Sequence, residues 1–265
     1  MSTAKTPAAV AATDRATPLR KYVQRAIQRY LDDMGRSQPD NLYRTLMSQV
    51  EPPLIEETIG ARLAQTIRLY PDREALVSRH QGIRWTYREY GEQIDRLATG
   101  LLALGIEPGE RVGIWAPNCY EWCLTQFATA RIGAILVNVN PAYRVFELEY
   151  ALNKSGCKAI ITAERFKSSH YVQMLQDLAP ELAQCKPGEL KAEKLPVLKT
   201  VISMGEEHTA GMFNFAEVCG MGSENHYHRL ESIGEELSVH DIINIQFTSG
   251  TTGNPKGAAL THYNI

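Results

Sequence analysis

The sequence has no long apolar run and no cysteine pairing typical of a metal site. No stretch reaches the roughly 18 apolar residues that a transmembrane helix needs, and the first residues lack the apolar core of a secretory signal. The five cysteines are odd in number and include no Cys-x-x-Cys pair, so free thiols in a reducing compartment are the simplest interpretation. We therefore expect a cytoplasmic protein without a membrane span, and we weigh an Arg-bearing organelle transit peptide less.

Charge of either sign is not in large excess. The formal net charge is −2, with 44% hydrophobic and 22% charged residues, as in soluble globular proteins. The charge is unevenly placed, however, because residues 1–30 carry six Lys or Arg and one Asp. A basic arm on an acidic body suggests that the arm has a separate origin or partner.

The N-terminal residues predict two different segments. Residues 1–17 are rich in Ala, Thr and Pro, which predicts a disordered arm. In residues 18–53, apolar positions recur at helical spacing on both sides of Gly35 and Pro39, which predicts a helical hairpin. The apolar face of this hairpin is too small to fold alone, so it needs the body of the protein or a second copy.

Residues 18–56 resemble the N-terminal helices of the Fis nucleoid proteins. The resemblance is carried by the pattern Pro18-Leu19-Arg20…Val23…Ala26…Tyr30…Asn41-Leu42-Tyr43…Val50-Glu51-x-Pro53-Leu54. In that family the two helices form the dimer core, so the resemblance implies a homodimer through residues 18–53. The DNA-reading helix-turn-helix has no counterpart, and sequence-specific DNA binding is not expected. A helical extension that resembles Fis by chance is the alternative.

The central part of the chain alternates between strand and helix patterns. Strands are predicted at residues 111–116, 134–139 and 158–162, with helices at residues 120–131 and 147–154 between them. Nearly all-apolar strands joined by helices predict an α/β fold, a parallel sheet with helices on both faces. No Gly-x-Gly-x-x-Gly follows the first strand, so a dinucleotide-binding fold is disfavoured.

The segments on either side of this core give weaker patterns. Before it, a hairpin at residues 81–86 leads into a helix that begins at a Thr86–Glu89 capping box. After it, a helix at residues 168–179 and a strand at 197–203 are predicted. Residues 208–228 read as a surface loop region, which favours a solvated position for His226 and His228 over a metal site.

The most informative stretch follows an apolar strand at residues 242–247. It contains three glycines, four hydroxyl side chains and Lys256. Backbone N–H groups and hydroxyls donate hydrogen bonds and an ammonium supplies charge, so the combination suits a polyphosphate. The P-loop of NTPases does not fit, because Pro255 and Gly257 flank the lysine where that motif requires Gly and Ser or Thr. A Gly/Ser/Thr linker is the other alternative.

Residues 247–257 resemble the phosphate loop of the adenylate-forming (AMP-binding) superfamily. The sequence Phe-Thr-Ser-Gly-Thr-Thr-Gly-Asn-Pro-Lys-Gly matches the family pattern [YF]-T-S-G-[ST]-T-G-x-P-K-G at every position. The resemblance covers residues 54–265 and implies the N-terminal portion of the adenylate-forming synthetase fold. Residues 244–246 and 140–143 are most similar to the medium-chain fatty acyl-CoA synthetase branch.

The resemblance implies an ATP-dependent fatty acyl-CoA synthetase. Its substrates would be ATP, a medium- or long-chain fatty acid and CoA, with Mg²⁺ as a cofactor. The motif match assigns the nucleotide phosphates to one run of residues: Thr248, Ser249, Gly250, Thr251, Thr252, Gly253, Asn254, Pro255 and Lys256.

In the family, the catalytic lysine and most of the acyl and CoA pocket lie beyond this point of the sequence. The resemblance therefore implies a truncated domain and a fragment that is inactive alone. A second hypothesis is a non-catalytic dimerisation protein, made of the Fis-like hairpin on a synthetase remnant. A third is a gene-model or assembly artefact that joined two genes near residue 55 and clipped the second at Ile265.

Overall fold

The computed structural model describes residues 57–248 and 255–265. The predicted arm (1–17) and the predicted helical hairpin with its homodimer (18–53) lie outside these residues and stay predictions. The described residues form seven α-helices, numbered here in chain order: α1 Ile59–Leu69, α2 Tyr87–Ala103, α3 Tyr120–Arg131, α4 Val145–Ser155, α5 Tyr171–Leu178, α6 Phe215–Val218 and α7 Glu224–Glu236.

Eleven strands accompany these helices in the described part of the chain. They are β1 Glu74–Ser78, β2 Ile83–Thr86, β3 Arg111–Trp115, β4 Ile135–Asn138, β5 Cys157–Thr162, β6 Arg165–Phe166, β7 Ser169–His170, β8 Thr200–Ser203, β9 Phe213–Asn214, β10 Ile242–Thr248 and β11 Lys256–Thr261.

Seven strands form one central sheet in the order β11-β10-β4-β3-β5-β8-β9. Every neighbouring pair is parallel except β10 and β11, which are antiparallel. The prediction of a parallel sheet is thus confirmed for six strands, and β11 makes the sheet mixed. From β3 the chain continues to β4, which lies on one side of β3, and then to β5, which lies on the other side of β3. The strand order therefore reverses between β3 and β5.

Helices cover both faces of this sheet, as predicted. On one face α2, α3 and α7 pack around residues such as Ile94, Leu124 and Ile233. On the other face α4 and α5 pack around residues such as Leu152 and Leu175. The hydrophobic effect of burying these side chains holds the layers together. Strand β11 lies at the edge of the sheet, and its residues 256–259 are all exposed.

Helix α2 shows how local sequence sets this architecture. The side chain of Thr86 accepts a hydrogen bond from the Glu89 backbone, and the Glu89 carboxylate accepts one from the Thr86 backbone, so the predicted capping box is present. Its apolar stripe is buried against the sheet. The chain leaves the helix through Gly105, whose φ of +75° is a left-handed conformation that glycine adopts without strain.

The structure corrects the prediction for residues 208–228. They include the short helix α6 and the first turns of α7, so a surface loop region was wrong there. His226 and His228 lie on α7, and the His226 ring lies 2.9 Å from the Ser223 hydroxyl at the start of that helix. The helix forms because Leu230 and Ile233 are buried against α2 and α3, although the rest of its sequence is polar.

One other helix and one strand are shorter than predicted. The helix expected at 168–179 spans Tyr171–Leu178, because Ser169 and His170 belong to a small hairpin with β6. The strand expected at 197–203 spans Thr200–Ser203. Within the described residues, none of the helices combines the length and the apolar character needed to cross a bilayer.

Candidate functional site

Strands β10 and β11 form a hairpin whose tip carries the glycine-rich motif. The ladder runs from Ile242 opposite Thr261 to Thr248 opposite Lys256. At its open end, the Thr248 hydroxyl donates to the backbone oxygen of Lys256 at 3.4 Å. Thr248 and Lys256 are both exposed. The geometry therefore presents a hydroxyl and an ammonium from neighbouring strands at the base of one loop.

The structure places only part of the predicted phosphate site. Thr248 ends β10, Pro255 precedes β11 and Lys256 begins it. The other six predicted residues lie outside the described residues, and their role stays a prediction: Ser249, Gly250, Thr251, Thr252, Gly253 and Asn254. Thr248 and Lys256, near the two ends of the motif, lie opposite each other across the hairpin.

Strand β10 is fixed in the sheet by a chain of three side-chain amides. The Asn138 amide on β4 donates to the oxygen of Asn244 at 2.9 Å. The Asn244 amide in turn donates to the oxygen of Gln126 on α3 at 3.0 Å. Asn244 is buried, so losing either of these bonds would leave one of its polar atoms unpaired, which is costly. Sequence reasoning missed these residues, although an asparagine inside an apolar strand was a signal.

The lack of a side chain at Gly257 allows β11 to lie close to β10. A Cβ atom on Gly257 would lie 3.1 Å from Cγ2 of Ile245, tighter than ordinary contact. Ile245 and Phe247 pack toward the core formed with α4 and α5. Gly257 therefore lets the lysine-bearing strand lie against β10 without displacing these side chains.

The turn after β4 lies at the same edge of the sheet as the end of β10. The Trp115 indole N–H donates to the backbone oxygen of Asn140 at 3.2 Å. The Tyr171 hydroxyl donates to the backbone oxygen of Pro141 at 2.5 Å. The two rings stack with centroids 3.8 Å apart. Burial raises the pKa of Tyr171 to about 12, so its hydroxyl keeps the proton that it donates at neutral pH.

A second concave region lies where the strand order reverses. A cavity of about 250 Å³ opens at the carboxyl ends of β3 and β5, lined by polar residues such as Asn118 and Glu164. On its wall the Gln81 amide donates to Glu121 at 2.8 Å, and the Gln81 oxygen accepts from the Tyr120 backbone at 2.9 Å. Ligands of open α/β sheets bind at such a reversal, so this cavity is the alternative candidate for a nucleotide site.

A cation site built from side chains is not evident in the described part of the chain. No group of three or more His, Cys, Asp and Glu residues there could hold a metal ion. All five cysteines are free thiols. Burial raises the pKa of Cys119 to about 12 and that of Cys157 to about 11, which disfavours the thiolate that would bind a metal.

The chain also matches a family model and curated proteins of known name. The family model described as AMP-binding enzyme matches residues 63–265. The mitochondrial medium-chain acyl-CoA ligase ACSF2 of Bos taurus is 49% identical over 213 residues, which are 80% of this chain and 34% of that protein. The chain thus spans about a third of the length of the curated relatives that it matches.

Solved structures show the same architecture. The anthranilate CoA ligase AuaEII, in complex with anthranoyl-AMP, has a TM-score of 0.63 at 20% identity, over 79% of this chain and 35% of that one, which shows the fold alone. The inhibitor-bound N-terminal domain of FACL13 from Mycobacterium tuberculosis has a TM-score of 0.59 at 26% identity, over 78% and 44%. The family-model match over residues 63–265, which is most of the chain, shows that the chain belongs to the AMP-binding enzyme family.

Proposed function

We propose that this chain is the phosphate-binding part of an ATP-dependent fatty acyl-CoA ligase. The observation that carries the proposal is the pairing of Thr248 with Lys256 at the base of the loop that matches the family motif. A ligase of this kind activates a carboxylic acid as an acyl-adenylate and then transfers the acyl group to the thiol of CoA. Because the chain spans about a third of its relatives, the complete reaction is proposed only for a protein of the relatives' full length.

The chemistry of the first step explains why a loop of this composition is needed. The substrate carboxylate attacks the α-phosphorus of ATP, and pyrophosphate leaves with growing negative charge on its oxygens. Hydroxyl and backbone donors of residues 248–254 and the ammonium of Lys256 would stabilise this charge. Asn254 and Pro255 would shape the turn that returns the chain to β11.

The identity of the acid is a finer proposal. Relatives named medium-chain acyl-CoA ligases favour a medium-chain fatty acid. The name of the anthranilate CoA ligase indicates that a protein of the same fold acts on an aromatic acid. We retain a medium- or long-chain fatty acid as the proposed substrate, and CoA as the acceptor.

Mg²⁺ is proposed to accompany ATP rather than to occupy a protein site. The described residues lack a cluster of carboxylates that could hold the ion, and Mg²⁺ at phosphate-transfer sites binds mainly to phosphate oxygens and water. The ion would neutralise phosphate charge when bound.

Two observations bear on the cellular compartment of the protein. Five free thiols favour the reducing cytoplasm, whereas the similar vertebrate ligases are named mitochondrial. We propose a cytoplasmic location, and fractionation of the native cells would test it.

Calorimetric titration of ATP into the full chain tests the phosphate role. We expect Lys256→Ala to weaken binding about 10- to 150-fold, since one hydrogen bond to a charged group contributes about 1.5–3 kcal/mol. Lys191→Ala removes another exposed lysine, far along the sequence from the motif, and should leave the affinity unchanged. Equal effects of the two substitutions would refute a specific role for Lys256.

In a ligase of the relatives' full length that contains this sequence, Lys256→Ala should slow the ATP–pyrophosphate exchange more than it weakens fatty-acid binding. This outcome follows because Lys256 is assigned to the leaving group and not to the acyl chain. Equal losses in exchange and in acid binding would contradict that assignment.

A further inference from the structure

His262 is buried directly after the lysine-bearing strand and connects it to a distant helix. Only 2% of its surface is exposed. Its ring atom Nδ1 accepts a hydrogen bond from the backbone N–H of Ile59, the first residue of α1, at 3.2 Å. This bond joins positions separated by 203 residues in the chain. One end of β11 is therefore fixed to the start of α1.

The backbone around His262 is fixed as well. Its N–H donates to the oxygen of Asp241 at 3.2 Å, and that of Tyr263 donates to Val239 at 2.9 Å. In contrast, residues 256–259 of β11 are all exposed. Apart from its ladder with β10, β11 is thus anchored at its His262 end, and Lys256 lies at the opposite, uncovered end.

The hydrogen bond determines which ring nitrogen carries the proton. Because Nδ1 accepts from Ile59, the neutral ring must carry its proton on Nε2. Nε2 is buried and has no hydrogen-bond partner within the described residues. Protonation of Nδ1 would place two N–H groups against each other and break the connection to α1.

We propose that His262 is a positioning residue for Lys256, holding β11 in register with β10 by fixing its far end to α1. The proposal rests on the proposed function, in which Lys256 binds the phosphates of ATP. If the far end were released, the exposed strand could shift or fray, and Lys256 would no longer stay opposite Thr248.

The charges around the ring decide how pH acts on this anchor. Asp241 is the acidic group that faces the ring, and it favours the charged form. Glu57 and Arg62 near the start of α1 pair with each other at 3.9 Å, and the His240 ring lies 6.1 Å from that of Tyr263. Burial is the larger effect and lowers the pKa of His262 below its usual 6.5.

The sign of the pH effect follows from this direction. The unfolded chain binds the proton more readily than the folded chain. The stabilisation by neutral His262 is therefore complete above about pH 6.5 and is lost as the pH falls below that value toward the lowered folded pKa. The anchor should be intact at neutral pH and release in mild acid.

Two substitutions in the full chain distinguish the hydrogen bond made by His262 Nδ1 from the space that the side chain fills. In His262→Asn the side-chain oxygen can take the place of Nδ1, whereas the longer side chain in His262→Gln reaches the position of Nε2. We expect His262→Gln to speed amide exchange of Ile59 and of residues 256–261 about tenfold and to weaken ATP binding by a similar factor. His262→Asn should restore both and remove the loss of ATP binding in mild acid.

Equal behaviour of the two variants would overturn the proposal, as would faster exchange in β11 with unchanged ATP affinity. If the wild-type chain bound no ATP, the proposed function would fail, while exchange at residues 256–258 would still decide whether His262 sets the register. Should His262→Gln not fold, ¹⁵N shifts of the wild-type ring decide instead. They must show the Nε2–H tautomer, and an Nδ1–H tautomer would refute the anchor.

Discussion

Thr248 and Lys256 are the last paired residues of the β10–β11 hairpin, and the Thr248 hydroxyl donates to the Lys256 backbone. Antiparallel partners lie about 5 Å apart, so the seven-residue segment between them begins and ends at neighbouring positions. A ligand that fits this loop would meet the Thr248 hydroxyl and the Lys256 ammonium together. The position of β11 thus decides whether the loop can act as a unit.

Because α2 packs closely against α6, adding one methyl group at Gly100 should lower the free energy of unfolding. A Cβ atom on Gly100 would lie 2.0 Å from the backbone oxygen of Val218. Gly100→Ala must displace α6, and overpacking of this kind costs about 1–3 kcal/mol. Urea unfolding of the full chain should show a corresponding fall in the free energy of unfolding.

Gly234 in α7 is the matched control for Gly100. A Cβ atom there would meet nothing within 4 Å. Gly234→Ala should therefore raise the free energy of unfolding by about 0.5–1 kcal/mol, the usual gain for this replacement within a helix. A Gly100→Ala protein as stable as the Gly234→Ala protein would show that α6 does not approach α2 as described.

The Tyr171 hydroxyl is predicted to hold the turn after β4. Tyr171→Phe keeps the stack on Trp115 but removes the hydrogen bond to Pro141. We expect a loss of about 1 kcal/mol in the free energy of unfolding and faster amide exchange in residues 139–143. Tyr150→Phe, which removes the hydroxyl of a half-buried tyrosine on α4, is the control. Equal effects of the two variants would argue against this role.

The cysteines should react slowly in the folded protein. Burial raises the pKa of Cys157 to about 11 and that of Cys219 to about 11, so little reactive thiolate forms at neutral pH. A colorimetric thiol titration should find Cys157 the slowest, and all five thiols should react promptly after unfolding in urea. Reaction of Cys157 at the same rate before and after unfolding would show that it is not buried.

Local signals in the sequence predicted the framework well. Thr86 and Glu89 form the expected capping box, and strands β3 to β5 follow apolar runs. Helix α7 was missed because only Leu230 and Ile233 are buried in it, too few for a visible helical period. Its cap at Ser223, with His226 three residues later, was an available signal. Tertiary burial of two side chains outweighed the polar composition.

The candidate site could be named from the sequence where it depends on a contiguous motif, and its phosphate role stays a prediction. Thr248 and Lys256 could be named from the sequence, and the structure pairs them across the hairpin. Strand β11 could not be predicted from the sequence, because residues 256–261 lack a β-branched run. Within the described residues, its ladder is with β10. The contacts of Asn244 and His262 also escaped, since they join residues more than 100 positions apart.

Amide hydrogen exchange of the full chain with and without ATP tests the central claim most directly. If the β10–β11 hairpin binds the nucleotide phosphates, ATP should slow exchange in peptides that span residues 242–261, including the loop at 249–254. The cavity at the ends of β3 and β5 should be unaffected. Slowed exchange around residues 117–121 and 163–165, with no change in the hairpin, would place the nucleotide at the strand reversal and contradict the account.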